Sequence, residues 1–221
     1  MRPGEAVPGP GSSLRLVLAS NNAKKLSELQ ALLTGLPVAL VTQGSLGVTE
    51  AEEPHITFIE NALAKARHAA AATGCAALAD DSGVCVDALG GAPGVISAHY
   101  GGEVPAEGER EARRRLQDAA NNQRLLRELQ GATDRRAHFV CTLVAVRHAE
   151  DPQPLVAVGR WLGQMLEAPR GTGGFGYDPL MFIPEQGLTV AEMDAALKNT
   201  LSHRARAAAQ LRGLLQEVWR L

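Results

Sequence analysis

The chain has 221 residues, enough for one large domain or two smaller lobes sharing a sheet, and its 45% hydrophobic and 21% charged residues are the ordinary balance of a globular protein. A formal net charge of -2 gives no global field toward nucleic acid or an anionic membrane, so small anionic ligands have to be held by local sites. The 3 cysteines (Cys75, Cys85, Cys141) form no CxxC pair, which argues against a disulfide scaffold and a cysteine-ligated zinc site and suits a reducing cytosol.

Met1 to Ser13 is rich in proline and glycine and lacks the apolar core of a signal peptide. A disordered extension over 1–13 is therefore expected ahead of one domain over 14–221. No apolar run approaches the length of a membrane span. Leu14 to Ala19 is a short strand pattern, after which Leu26, Leu29, Leu32 and Leu33 recur at helical spacing. The polar hexad between them, Ser20-Asn21-Asn22-Ala23-Lys24-Lys25, is a strand-to-helix turn. Such a turn offers free backbone N–H groups and the positive end of a helix dipole to an anion. It is not a GxxxxGK[ST] phosphate loop, and taken alone it reads first as a solvated lysine pair at a helix start.

Pro37 to Val41 is a second strand, followed by Gly44, Gly47 and the acidic cluster Glu50-Ala51-Glu52-Glu53. Thr57-Phe58-Ile59-Glu60 matches a capping box, so a helix is predicted over Asn61 to Ala72. Asn61 and Lys65 share one face of it, while Ala62, Ala66 and Ala69 line a small-residue face for close packing. Glu52, Glu53 and Lys65, each by itself, fit exposed charges. Thr73-Gly74 stops the helix, and the apolar Ala76, Ala77 and Leu78 lead into Ala79-Asp80-Asp81-Ser82-Gly83. Two adjacent carboxylates closing a strand, with a hydroxyl and a glycine next, suit a hard cation and a reacting phosphate. Magnesium prefers oxygen ligands and accepts one or two carboxylates when substrate phosphates complete its shell. A solvated turn is the alternative, because these residues are all turn formers.

Glycines then cluster at Gly90-Gly91-Ala92-Pro93-Gly94 and Gly101-Gly102. A helix is predicted from Glu107 to Gln130. Its run Arg113-Arg114-Arg115 is interleaved with Glu109, Glu111, Asp118 and Glu128, the pattern of a salt-bridged solvent face rather than a nucleic-acid patch. Ala137 to Val146 is the clearest strand, and a turn at Glu150-Asp151-Pro152 joins it to Leu155 through Met165 as a hairpin. The glycine-rich loop Arg170 to Pro179 carries Phe175, Tyr177 and Asp178, a set able to stack a flat base and bond its edge. A strand at Leu180 to Ile183 follows. Lys198, Ser202, His203 and Arg204 then precede a helix running to Trp219, with Ser202 as its cap. Alternating strands and helices with a long hairpin indicate an α/β protein with a mixed sheet. HExxH and GxSxG are absent, and no GxGxxG dinucleotide fingerprint follows a strand and opens a helix, so zinc hydrolase, serine hydrolase and oxidoreductase readings have no support.

The ordered blocks Ser20 to Lys25, Glu52-Glu53 ahead of Thr57-Phe58-Ile59-Glu60-Asn61-Ala62, Ala79 to Gly83, Gly90 to Gly94, Gly173 to Pro179 and Ser202-His203-Arg204 resemble the inosine triphosphate pyrophosphatase family, most closely its bacterial RdgB-like dITP/XTP pyrophosphatases. The resemblance runs from Leu14 to about the end of the chain, with Lys24 standing where bacterial members often carry glycine. It implies an elongated mixed β-sheet flanked by helices, forming two lobes with the active-site cleft between them. It implies a cytoplasmic, magnesium-dependent homodimer that hydrolyses ITP, dITP, XTP and dXTP to the monophosphate and pyrophosphate, without nucleic-acid or membrane partners. By the same resemblance Ser20, Asn21, Asn22, Ala23, Lys24 and Lys25 would hold the triphosphate. Asp81 would be the general base or metal-organising carboxylate, Glu53 with Glu52 would complete the magnesium site, and Lys65 would support the phosphate or the water. Ser82 would contact substrate, and Phe175, Gly176, Tyr177, Asp178, Lys198, His203 and Arg204 would hold the base and sugar. Asp80 would support the site from behind. A pyrophosphatase for modified pyrimidines and a non-catalytic nucleotide-binding module are the other readings the sequence leaves open.

Overall fold

The computed structural model describes residues 13–104 and 109–221, apart from the side chains of Lys24 and Arg110. The predicted extension therefore lies, except for Ser13, outside the described residues, as does the start of the helix predicted from Glu107. In chain order the elements are β1 (Leu14–Leu18), α1 (Ala23–Leu32), β2 (Val38–Thr42), α2 (Phe58–Thr73), β3 (Ala76–Val86), α3 (Arg110–Glu128), β4 (Arg136–Val146), β5 (Leu155–Met165), β6 (Met181–Ile183), β7 (Leu188–Thr189), α4 (Ala195–Leu201) and α5 (His203–Val218). Among the described residues no helix is long and apolar enough to cross a membrane.

The chain divides into two compact units. The first comprises the chain up to Asp81, Cys141–Gly159 and Arg204–Leu221; the second comprises Ser82–Val140 and Arg160–His203. Strands β3, β4 and β5 each give one half to each unit. Within the first unit the sheet order is β2-β1-β3-β4-β5, and within the second it is β3-β4-β5-β6-β7. Strand β1 pairs in parallel with both β2 and β3, whereas β6 pairs antiparallel with β5 and β7, so the sheet is mixed.

The period of two along each strand sorts the first unit's core into two layers. Leu16 and Leu18 of β1, Ala76 and Leu78 of β3, and Cys141 and Leu143 of β4 pack with Leu29 of α1 and Ala207, Ala208, Leu211 and Leu215 of α5. The alternate residues Val17, Ala19, Ala77, Ala79, Val144 and Val146 pack instead on Ala62, Ala66, Ala69 and Ala70 of α2. Alanines on that helix face let it approach the sheet closely, and a bulkier residue at Ala66 would overpack it by about 1–3 kcal/mol. Helix α2 begins where Thr57 Oγ1 accepts the Glu60 N–H at 3.2 Å and ends at Gly74, which takes the left-handed conformation (φ 65°). The second unit has its own core of Val84, Val86, Phe139, Trp161, Met165, Leu180, Met181 and Ile183, closed by Leu125 and Leu129 of α3.

The strand expected to close at Asp80-Asp81 continues to Val86, carrying Ser82 and Gly83 inside β3 as well. Turn-forming residues are held extended here because both carboxylates meet cations, as the site shows. Among the described residues α4, capped by Asp194 Oδ1 accepting the Leu197 N–H at 2.7 Å, and β7 are an α-helix and a strand that the sequence did not predict.

Candidate active site

Asp80 and Asp81 continue the alternation of β3, so they leave the strand toward opposite layers. Asp80 follows Ala76 and Leu78 toward α1 and α5. Its Oδ1 accepts from Lys25 Nζ at 3.0 Å and its Oδ2 from Arg204 Nε at 2.7 Å, with Cys141 Sγ at 3.7 Å. Arg204 also reaches Glu28 Oε2 at 2.5 Å through Nη1, and its side chain is only 4% exposed. Burial works against the arginine charge, but Asp80, Cys141 and Glu28 outweigh it and keep the guanidinium protonated. A carboxylate shared by two cations is thus the junction where the first turns of α1 and α5 meet β3.

Asp81 follows Ala77 and Ala79 toward α2. Lys65 Nζ donates to Asp81 Oδ1 at 2.8 Å and to the Asp80 carbonyl at 3.0 Å, and it lies 3.2 Å from Glu53 Oε1. Asp81 Oδ2 is buried and accepts no hydrogen bond. Burial pushes the Asp81 carboxyl up to about 6, more than Lys65 offsets, and the nearby Glu53 charge adds to the rise. Burial also disfavours the Lys65 ammonium, but Asp81 and Glu53 outweigh it and hold its pKa above the ordinary lysine value.

Glu53 sits on an exposed loop that α2 grips from two sides. Asn61 Oδ1 accepts the His55 N–H at 3.0 Å while its Nδ2 donates to the His55 carbonyl at 3.2 Å, and His68 Nε2 lies 3.0 Å from the Thr49 carbonyl. Glu52, paired with Glu53 in the sequence-based expectation, is exposed, and Glu53 is the one that reaches Lys65.

The hexad before α1 organises itself. Ser20 Oγ accepts the Asn22 N–H at 3.2 Å and Asn22 Oδ1 accepts the Lys25 N–H at 3.3 Å, so Asn22 caps the helix start. Asn21 Nδ2 donates to Glu50 Oε1 at 3.3 Å, and its Oδ1 is buried without a partner. Ala23 is exposed and Lys25 half-buried; the Lys24 side chain lies outside the described residues. Ser82, next to Asp81 on β3, is half-buried.

The second unit gathers the residues expected around a base. Asp178 is buried; its Oδ2 accepts the Phe175 N–H at 2.9 Å and pairs with Lys198 Nζ at 2.7 Å. Lys198 Nζ also lies 4.6 Å from the centre of the Phe175 ring. Gly174 takes a left-handed φ of 74°, and a Cβ there would run into the Asp178 carboxylate, so this turn requires glycine. Tyr177 is buried and donates to the Ser97 carbonyl at 2.8 Å, a structural use of its hydroxyl. His203 is buried and stacks on Phe139 with centroids 5.0 Å apart. Of the residues assigned together to base and sugar, Arg204 belongs to the first unit and the others to the second.

Several residues at the site were not singled out by the sequence. Glu28 lies one helical turn beyond Lys25, a visible spacing whose partner Arg204 is 176 positions away. On α3, Arg114 covers the Phe175 ring at 4.7 Å, Asp118 Oδ2 accepts the Gly176 N–H at 2.8 Å and Asn122 Nδ2 donates to the Gly176 carbonyl at 2.9 Å. The expected solvent face of α3 holds for the weak Glu111–Arg115 pair at 4.0 Å but not for Arg114.

Among the described residues no three histidine, cysteine or acidic side chains converge as a metal cage. Glu53 and Asp81, both paired with Lys65, nevertheless suit an oxygen-seeking divalent cation whose shell is completed by phosphates and water.

The sequence profile of the Ham1 family matches residues 16–214. The chain is 67% identical over 206 residues to a dITP/XTP pyrophosphatase of Methylibium petroleiphilum, covering 93% of this chain and 99% of that protein. It is 65% identical over 211 residues to a dITP/XTP pyrophosphatase of Leptothrix cholodnii, covering 94% and 100%. Among solved structures, a HAM1 protein from Coxiella burnetii superposes with a TM-score of 0.84 at 42% identity, over 93% of this chain and all of that one. The Staphylococcus aureus Ham1 protein gives 0.79 at 33% identity over 91% and 98%.

Proposed function

The chain belongs to the Ham1 family, and on that premise we propose that it hydrolyses the deaminated purine nucleoside triphosphates ITP, dITP, XTP and dXTP to the nucleoside monophosphate and pyrophosphate. The reaction removes these nucleotides before they enter DNA or RNA. The observation that carries the catalytic assignment is Asp81, whose Oδ2 is buried, partnerless and part of a carboxyl pushed up to about 6. A carboxylate of that pKa is a better proton acceptor than an ordinary aspartate and is still ionised at neutral pH.

In the proposed reaction water attacks the α-phosphorus, the bond from that phosphorus to the oxygen bridging to the β-phosphate breaks, and Asp81 Oδ2 takes the water proton. Pyrophosphate leaves. Lys65 fixes the other oxygen of Asp81, so that Oδ2 is the free base, and places a positive charge beside the developing phosphoryl charge. The α1 start with Ser20 to Lys25 binds the triphosphate through N–H groups, side-chain amides and lysine charge. Glu53, with Glu52 near it, would hold Mg2+ beside Asp81, and the ion would neutralise phosphate charge and orient water. Most of the rate enhancement in such chemistry comes from positioning and charge neutralisation.

Base and sugar binding falls to Phe175, Gly176, Tyr177, Asp178, Lys198, His203 and Arg204, and Ser82 contacts substrate, the roles that the resemblance implies. Hypoxanthine and xanthine carry an acceptor oxygen at C6 where adenine carries an amino donor. A Lys198 ammonium held by Asp178 therefore favours the former, and a buried donor left unpaired against adenine costs adenine several orders of magnitude. We further propose a cytoplasmic homodimer acting on free nucleotides.

Steady-state hydrolysis of ITP, XTP, dITP, GTP and ATP, with and without magnesium, tests the reading directly. Preference for ITP, dITP and XTP with pyrophosphate as product is expected. Preference for ATP or for modified pyrimidine nucleotides would overturn it. Asp81→Asn is expected to abolish turnover while nucleotide binding persists, and near-normal dITP hydrolysis by that variant would remove Asp81 as the base.

A further inference from the structure

The face of α3 that meets the glycine-rich loop has no part in the reaction described above, yet its geometry is specific. Arg114, Asp118 and Asn122 recur every four residues and so share one side of the helix. All three point at two consecutive residues of the loop. Gly176 has both backbone groups taken: Asp118 accepts its N–H at 2.8 Å and Asn122 donates to its carbonyl at 2.9 Å. The glycine lies at a φ of 61°, a conformation that two side-chain bonds can hold against the many others open to glycine. Asn122 Oδ1 is buried without a partner, so the bond that this amide makes is the one to the loop. Arg114 then lies over the Phe175 ring at 4.7 Å, fixing the aromatic plane next to the gripped glycine.

We propose that Asp118 and Asn122, seconded by Arg114, are positioning residues for base selection: they set the orientation of the Phe175 ring and the Gly176 backbone, and through them the discrimination between 6-keto purines. The inference rests on the proposed pyrophosphatase reading. None of the three needs to touch the nucleotide. A loop with this many glycines has no intrinsic preference for one ring orientation, so α3 supplies the rigidity that selective stacking requires.

The test separates positioning from mere structural support by comparing substrates that differ only in the base, and a ligand with no base at all. In Asp118→Ala and Asn122→Ala, kcat/KM for ITP is expected to fall between about tenfold and about a hundredfold, the scale of a misplacement of about 1 Å. The ITP-to-GTP preference should shrink with it, while inhibition by inorganic tripolyphosphate stays within about twofold of wild type, because that ligand presents no base to the loop. Asp118→Asn retains an acceptor for the Gly176 N–H and should restore most of the preference. Arg114→Ala, a change at a half-buried side chain that does not endanger folding, should also narrow the ITP-to-GTP ratio. Thermal melts establish that each variant is folded. Unchanged base preference in all variants would overturn the proposal, and so would a parallel loss toward every nucleotide and tripolyphosphate. If the wild-type protein itself does not hydrolyse ITP, the pyrophosphatase reading fails instead, whatever the variants do.

Discussion

Replacing Asp80 by Asn should cost more stability than any other single polar change in the first unit. The carboxylate is fully buried and is shared by Arg204 at 2.7 Å and Lys25 at 3.0 Å. Removing one partner of a buried ion pair leaves an uncompensated charge and typically costs about 3–5 kcal/mol. Two features moderate the loss. Lys25, 22% exposed, can turn toward water, and Arg204 keeps Glu28 at 2.5 Å. The new amide, however, turns an N–H2 toward one of two cations that need an acceptor. The lower end of the range, about 3 kcal/mol, is therefore expected, which is roughly a hundredfold in the ratio of folded to unfolded protein. In urea, with a slope of about 2–3 kcal/mol per molar, the midpoint should fall by about 1 M at unchanged slope. Asp134→Asn is the control, because that carboxylate pairs with Arg136 at 2.7 Å on the exposed surface and should leave the midpoint where it is. If the Asp80→Asn and Asp134→Asn midpoints coincide, the buried junction does not hold the first unit together and the reasoning is wrong.

Three further outcomes are expected. In the magnesium-free protein, a carbon-13 titration of Asp81 should show a midpoint of about 6, and Glu53→Gln should lower it, since the Glu53 charge contributes to the rise. Because the folded pKa lies above the ordinary 3.8, the native state binds the extra proton, so this contribution to stability is complete below 3.8 and is lost as pH rises through about 6. Wild type should accordingly lose stability relative to Asp81→Asn between those values, and a midpoint at or below 3.8 would remove the premise. Asn61→Ala should weaken Mn2+ binding, read by electron paramagnetic resonance, because the two bonds to His55 that fix the Glu53 loop are gone; an affinity equal to that of wild type would show the loop to be held otherwise. Gly174→Ala should raise KM for ITP more than it lowers kcat, as the displaced Asp178 no longer fixes Lys198 and Phe175, and an unchanged KM would contradict that role.

What could be read from the sequence was whatever is enforced within a few residues. Strand β5 has its predicted ends, α2 starts at the predicted capping signal and stops at Gly74, and the lysine-bearing hexad does open α1. What the sequence left open or missed at the site shares one cause, a partner far away in the chain. Asp-Asp-Ser-Gly leaves a solvated turn open beside the cation site because nothing nearby offers a counter-charge. The cations that keep it extended are Lys25, Lys65 and Arg204, lying 55, 16 and 124 positions away. Arg114 reads as one of three solvated arginines because the ring beneath it, Phe175, belongs to a loop 61 positions downstream, beyond any helical spacing rule. Short α4 carries too few residues for a periodic signal, and only its Asp194 cap marks it.

The alternation of β3 also explains why a pair of adjacent aspartates, chemically identical in sequence, ends in two different states. A one-residue step along a strand reverses the side of the sheet, so Asp80 enters the layer where α1 and α5 bring two cations, and Asp81 enters the layer where α2 brings one. With its charge matched twice, Asp80 is an anchor. Asp81, matched by the single Lys65 and opposed by Glu53, keeps one oxygen without a partner and a carboxyl pushed up to about 6, which is the condition for accepting a proton. Lys65 connects the two states, for the same ammonium that binds Asp81 Oδ1 also bonds the Asp80 carbonyl and so fixes the strand between them. Lys65→Met should therefore disturb both, raising the Asp81 midpoint above 6 by removing the charge that lowers it and loosening the strand on which Asp80 is anchored. A variant with the wild-type midpoint would mean that burial alone, and not the balance of burial against Lys65, sets the proton affinity of Asp81.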